Sequence, residues 1–263
     1  RRDYQEAYVF YKDNGGDYRF SDKNSDDMSL ILYGEGIAEL ADDTAYIKYT
    51  GFNGRGSDTK VNSSSWQMKV VLQKFKENKK SKLILDLRNN GGGYMDILEN
   101  IAAHFIDCEQ GSKKLVSKAV YKDGSESKFY SASVDYSDYG FEKIIILANA
   151  GTASASEALI GAMLDYDVNG RVSVVLSAGT DTKTGEIVYR SYGKGIMQTT
   201  YVNPLGGDAI KLTTAKIYWP VSNLSIHDVG VCKNALEIYA ERIYEPTYES
   251  GTDYELKKAI SLM

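Results

Sequence analysis

The sequence predicts an α/β fold assembled from strand–loop–helix units. Three observations carry that prediction. Residues 83–87, 144–148 and 172–176 are short, nearly continuous apolar runs, the length of strands buried on both faces of a parallel sheet. The first two runs are each followed by a turn of small residues, 89–93 and 149–151, and then by a stretch with helical apolar spacing. With 263 residues, 43% of them apolar and 25% charged, the chain has enough apolar material for one large domain or two small ones.

Taken in order, Tyr8 to Tyr11 and Tyr18 to Phe20 flank the turn signal Asp13-Asn14-Gly15-Gly16, which predicts a hairpin in a polar, tyrosine-rich leading segment. Residues 45–49 read as a strand. Trp66, Val70, Leu72 and Phe75 have spacings that predict a helix over 65–78. After the 83–87 strand and its glycine loop, Ile97, Leu98, Ile101, Ala102 and Phe105 define one face of a helix over 95–106. The stretch 113–139 is polar and strand-like only in pieces. The 144–148 strand and its turn lead into a helix over 154–165, and the 172–176 strand into a Gly/Thr/Asp-rich stretch. Alternation predicts a strand over 210–218, and 256–262 a short closing helix. There is no internal repeat. On this reading residues 1–44 form an N-terminal segment and 45–263 the core.

Composition excludes several classes of function. A net charge of -5 with dispersed lysines lacks the basic stripe that nucleic acid requires, so no nucleic-acid partner is expected. The densest run, Lys74 to Lys82, reads as the solvated end of a helix. No window approaches the uncharged apolar length of a membrane span, and no signal core follows Arg1. Cys108 and Cys232 have no paired spacing, and His104 and His227 are the only histidines, which argues against a zinc site and any metal mechanism. The two cysteines are compatible with one disulfide or with two buried thiols.

Three stretches carry candidate chemistry. Gly151-Thr152-Ala153-Ser154-Ala155-Ser156-Glu157 puts small hydroxyl residues at a strand-to-helix turn, where a side chain stands over the sheet edge beside unpaired amides. That suits a nucleophile, but Ser154-x-x-Glu157 is equally a capping box. Asn89 to Gly93 is either a flexible connection or a loop whose backbone amides approach an oxyanion closely. It has neither the Walker spacing nor the dinucleotide fingerprint. Lys194, between Gly193 and Gly195 with Gln198 four residues on, is either a solvated lysine or a base kept neutral by close packing.

Together these stretches resemble the C-terminal processing peptidases, or tail-specific proteases, a family of Ser/Lys-dyad serine endopeptidases. The residues that carry the resemblance are Leu83-Ile84-Leu85-Asp86-Leu87-Arg88-Asn89-Asn90-Gly91-Gly92-Gly93, Thr152 to Glu157, Tyr192-Gly193-Lys194-Gly195-Ile196-Met197-Gln198, and Lys211-Leu212-Thr213-Thr214-Ala215. The resemblance implies a crotonase-like α/β core with small peripheral β elements. It also implies Ser154 as nucleophile, Lys194 as general base, Gln198 orienting the lysine, and an oxyanion hole from the amides of Ala155 and of Gly92 or Gly93. Ser156 is then the expected helix cap. No cofactor is implied. The implied partner is a protein or peptide substrate cut near its C-terminus, and the implied location is extracytoplasmic, secreted or attached to the cell envelope. A catalytically silent peptide-binding protein and an acyl-CoA enzyme are the rival readings.

Two features depart from the family pattern. The stretch 176–190 is longer than the usual link before Gly-Lys-Gly, and Gly230-Val231-Cys232 lacks the Pro-Asp that commonly follows Gly-Val. No complete PDZ-like domain of the family's kind is recognisable either, so residue 1 is expected to begin just downstream of one.

Overall fold

A computed structural model describes residues 8–12, 18–22, 31–33, 40–53, 64–106, 112–132, 139–181 and 184–263. Its centre is an eight-stranded sheet. Strands β1 (Tyr8–Lys12), β2 (Tyr18–Asp22), β3 (Ile31–Tyr33) and β4 (Thr44–Tyr49) are joined antiparallel. From β4 onward the neighbours are parallel: β5 (Lys82–Asp86), β8 (Lys143–Ala148), β9 (Val172–Leu176) and the short β14 (Ile243–Tyr244). The expected N-terminal hairpin is therefore present as paired strands, while its turn lies outside the described residues.

The three apolar runs form neighbouring central strands because both faces of the sheet are covered. Successive side chains alternate between faces. Ile47, Leu83, Leu85, Ile144, Ile146 and Val174 belong to one apolar cluster, with helices α1 (Ser64–Glu77), α2 (Met95–Ala102) and α3 (Ala155–Tyr166). Tyr46, Ile84, Ile145, Leu147 and Val175 point the other way and meet the C-terminal helix α4 (Tyr254–Ser261). Arg88 fastens that helix. Its guanidinium binds the fully buried Asp86 at 2.7 Å and Asp253, the N-cap of α4, at 2.7 and 2.8 Å.

The polar stretch 113–139 contains β6 (Leu115–Tyr121) and β7 (Glu126–Tyr130), which join a second, antiparallel sheet in the order β12-β13-β6-β7. Here β12 is Ile196–Val202 and β13 is Ala209–Tyr218. The sequence marks β13 by alternation but not β12, whose Ile-Met-Gln-Thr-Thr-Tyr-Val has no period of two. The long link after β9 is partly ordered as a small hairpin of β10 (Ala178–Thr180) and β11 (Ile187–Tyr189). Cys232 is a free thiol, and Cys108 lies outside the described residues.

Candidate active site

The ends of β5 and β8 place two loops side by side. After β5 the chain turns through Asn89, whose side chain pairs with that of Asn149 at the end of β8, 3.0 Å between amide nitrogen and oxygen. Asn90 is fully buried and acts as a bracket: its Nδ2 donates to Tyr49 O at 2.9 Å, and its Oδ1 accepts from Gly92 N–H at 3.0 Å. Its carbonyl oxygen accepts from Ala153 N–H at 2.9 Å and from the Ser156 hydroxyl at 2.9 Å. The glycine loop and the start of α3 are thus held together by one side chain and its own peptide group.

Ser154 stands at that junction with φ 60° and ψ -118°, a conformation that non-glycine residues rarely adopt and that costs about 1–3 kcal/mol. The turn can bear this because its neighbours are fixed: Thr152 Oγ1 donates to Leu87 O at 2.8 Å, and Thr152 O accepts from Tyr192 N–H at 2.9 Å. Ser154 and Glu157 are arranged as a capping box, with the Glu157 carboxylate accepting from Ser154 N–H at 2.8 Å. The Ser154 side chain faces the Glu157 amide of that box without closing a capping hydrogen bond to it. The expectation that Ser156 is the cap is corrected. Ser156 lies inside the first turn and its hydroxyl is committed to Asn90 O.

A cavity of about 150 Å³ opens beside Ser154 and is lined by Gly93, Ala155, Lys194 and Gln198 among others, with Met95, Ile217 and Trp219 as apolar wall. Five of the six expected site residues therefore meet in one pocket. Gly92 lies directly behind it: a Cβ there would stand 2.8 Å from Ser154 Cβ and 2.8 Å from Ala155 N. Ser154 and Lys194 are half-buried and Gln198 is exposed. Among the described residues no hydrogen bond joins the Ser154 hydroxyl, the Lys194 amine and the Gln198 amide. Such contacts often tighten only when substrate is bound.

The backbone amides separate into committed and free. Gly92 N–H is taken by Asn90 Oδ1. Phe52 donates to Gly92 O at 3.0 Å and accepts from Tyr94 N–H at 2.9 Å, a parallel bridge that leaves Gly93 N–H pointing away from Phe52. Ala155 is the first residue of α3, where an amide has no partner within the helix.

Residues 43–235 match the family model described as Peptidase family S41, well over half of the chain. The chain belongs to peptidase family S41. It is 32% identical over 196 residues to a CtpA-like serine protease of Staphylococcus saprophyticus, a match covering 72% of this chain and 33% of that protein. It is 33% identical over 191 residues to a carboxy-terminal-processing protease of Bartonella bacilliformis, covering 72% and 37% respectively. The chain thus spans about a third of the length of these relatives. Its fold is similar to that of a photosystem II D1 C-terminal processing protease, with a TM-score of 0.54 at 23% identity over 81% of this chain and 49% of the other.

One residue of this candidate site was not singled out for function in the sequence. Glu157 is 1% exposed, and its carboxylate accepts four hydrogen bonds. They come from Ser154 N–H, from Lys194 N–H at 3.0 Å, from Gly193 N–H at 2.7 Å and from the Ser191 hydroxyl at 2.5 Å. The Ser154 turn and the Lys194 segment, distant in sequence, are joined through this one side chain. Burial pushes its carboxyl above the ordinary glutamate range, and the four donors pull against that shift. The sequence signal was the Ser-x-x-Glu spacing, which accounts for the first bond only.

Proposed function

We propose that this chain is the catalytic core of a serine endopeptidase acting through Ser154 and Lys194. Ser154 Oγ attacks the carbonyl of a peptide bond while Lys194, as the free amine, takes the hydroxyl proton. The tetrahedral intermediate expels the amine, which receives that proton from Lys194. A water, deprotonated by the same lysine, then hydrolyses the acyl-enzyme. Gln198 orients the lysine. The oxyanion is received by the amides of Ala155 and Gly93, because Gly92 N–H is already engaged.

The observation that carries this reading is the strained Ser154 at a helix start, in the same pocket as Lys194. The apolar wall of that pocket fits an apolar side chain beside the scissile bond. The crotonase-like assignment of the fold belongs to the same proposal, supported by the stacked strand–loop–helix units. So does an extracytoplasmic location, tested by fractionating cells that make the protein. No helix among the described residues is long and apolar enough to cross a membrane.

Treatment with a fluorophosphonate followed by peptide mass spectrometry is expected to find the adduct on Ser154. Ser154→Ala is expected to abolish hydrolysis of casein with Tm moved only a few degrees. Lys194→Arg should be as inactive as Lys194→Ala, since a guanidinium cannot deprotonate in the working range. An adduct on a different serine would refute the assignment. A chain that is unlabelled and inactive, yet binds peptide, would be the silent binding protein instead.

A further inference from the structure

The second sheet ends on an unusual edge. Strand β12 pairs with β13 alone among the described strands, so every second N–H and C=O along its other side has no strand partner among the described residues. Long edge strands are normally guarded by charge, proline or brevity, because an open edge recruits other chains. The opposite edge of the same sheet, β7, follows that rule with Glu126 and Lys128 within five residues. β12 does not. Its seven residues, Ile-Met-Gln-Thr-Thr-Tyr-Val, include no charge, proline or glycine and are rich in strand-forming types. Its outer half is exposed, with Tyr201 at 52% and Val202 at 63%.

This unguarded edge starts at the catalytic pocket. β12 begins two residues after Lys194, and Ile196, Met197 and Gln198 line the cavity that holds Ser154. β13 overlaps β6 only at Ala215 to Tyr218, so the rest of the β12–β13 ribbon extends past β6, with Lys211 on it still lining the pocket. A strand laid along it would therefore end at the nucleophile.

We infer that β12 is the receiving strand for substrate: an extended peptide segment adds to its free edge through main-chain hydrogen bonds and is thereby fed to Ser154. This rests on the peptidase reading and deepens it. Recognition by backbone would make the enzyme take unfolded segments of varied sequence, with side-chain selection confined to the pocket.

Two experiments test it. In the first, an internally quenched peptide, copied from a site that the protein cleaves in casein, is N-methylated at one amide at a time. The expected loss in kcat/KM is about threefold to tenfold at alternate amides, with little change between them, since each lost main-chain bond is of that size. Losses without alternation, or only next to the scissile bond, would overturn the proposal. In the second, Thr199→Pro and Thr200→Pro are compared, because neighbouring amides of one strand point to opposite sides. Relative to Thr199→Ala and Thr200→Ala, which already account for the Thr199–Thr214 side-chain bond, one proline variant should lose a bond to β13 and fall in Tm; the other should keep its Tm and raise KM about threefold to tenfold. An unchanged KM in both folded variants would overturn the inference. So would a dimer, seen by light scattering, that the edge-facing variant dissociates, because the edge would then belong to a second copy. Fluorophosphonate labelling of Ser154 in the same samples reports the nucleophile separately, so failure of the strand model and failure of the peptidase reading are told apart.

Discussion

Glu157 shows how much of this site depends on single side chains. Its carboxylate has only acceptors to offer, and three of its four partners are backbone amides that cannot reverse. Glu157→Gln turns one oxygen into a donor that faces donors. Each buried donor left unpaired costs about 1–3 kcal/mol. The variant is expected to lose stability in chemical denaturation and to label with fluorophosphonate more slowly, because the Ser154 and Lys194 segments are no longer held to one point. Unaltered labelling in a folded Glu157→Gln protein would reduce the residue to a helix cap. Gly92 is a second such position. A side chain there would stand 2.7 Å from Ala153 O and would carry a φ of +92°. Gly92→Val should therefore displace the Ser154 turn and the adjoining amides, and on the proposed mechanism lower turnover about a hundredfold to a thousandfold, the scale of a lost oxyanion donor. Steady-state kinetics on the quenched peptide would show it in kcat more than in KM.

At the scale of elements, α3 is placed by contact as well as by its cap. Gly161 faces the indole of Trp219, and a Cβ there would come within 2.2 Å of the ring. Trp219 is 1% exposed and forms part of the wall of the Ser154 pocket. Alanine favours a helix over glycine by nearly 1 kcal/mol, which would stabilise an open position. Here the overpacking term, about 1–3 kcal/mol, has the opposite sign and is the larger. Gly161→Ala is expected to lower stability in urea denaturation and to narrow the pocket, shifting cleavage toward smaller side chains in a peptide library. A more stable variant would mean that the indole moves freely.

The whole molecule is closed by α4, which covers the face of the sheet turned away from α1, α2 and α3. Its attachment is electrostatic at one end. Burial raises the Asp253 carboxyl, but the hydrogen bonds from Arg88 and from Leu256 N–H outweigh that and hold it below the usual aspartate range. A carboxyl depressed in the folded state stabilises above its unfolded pKa and loses that contribution as pH falls through the folded one. The attachment should thus be intact at neutral pH and weaken below about pH 4, the ordinary aspartate value. Asp253→Asn, which retains a good N-cap residue, is expected to lower Tm at neutral pH and to converge on the parent as pH drops. Asp253 is partly exposed, so added salt should shrink the difference. Calorimetry across that range checks both; parallel curves would exclude the carboxylate as the source.

Several features were legible in the sequence because they depend on local spacing. The buried strands show as apolar runs, α2 as one apolar stripe, and the serine turn and glycine loop as small residues between a strand and a helix. Other features depend on groups that only folding brings together. The polar stretch 113–139 has no local signal that pairs β6 with β13, and β12 lacks alternation because its outer end, residues 200–202, is exposed on both faces. The Ser156 hydroxyl reads as a cap until the buried carbonyl of Asn90 arrives beside it. Glu157 reads as half of a capping box until Ser191, Gly193 and Lys194 close on the same carboxylate. Spacing along the chain determined which residue types lie at strand ends. Which of their hydrogen-bonding groups are spent on structure, as with Gly92 N–H, and which remain free for chemistry was decided by tertiary packing, because a donor's partner is chosen by proximity in space.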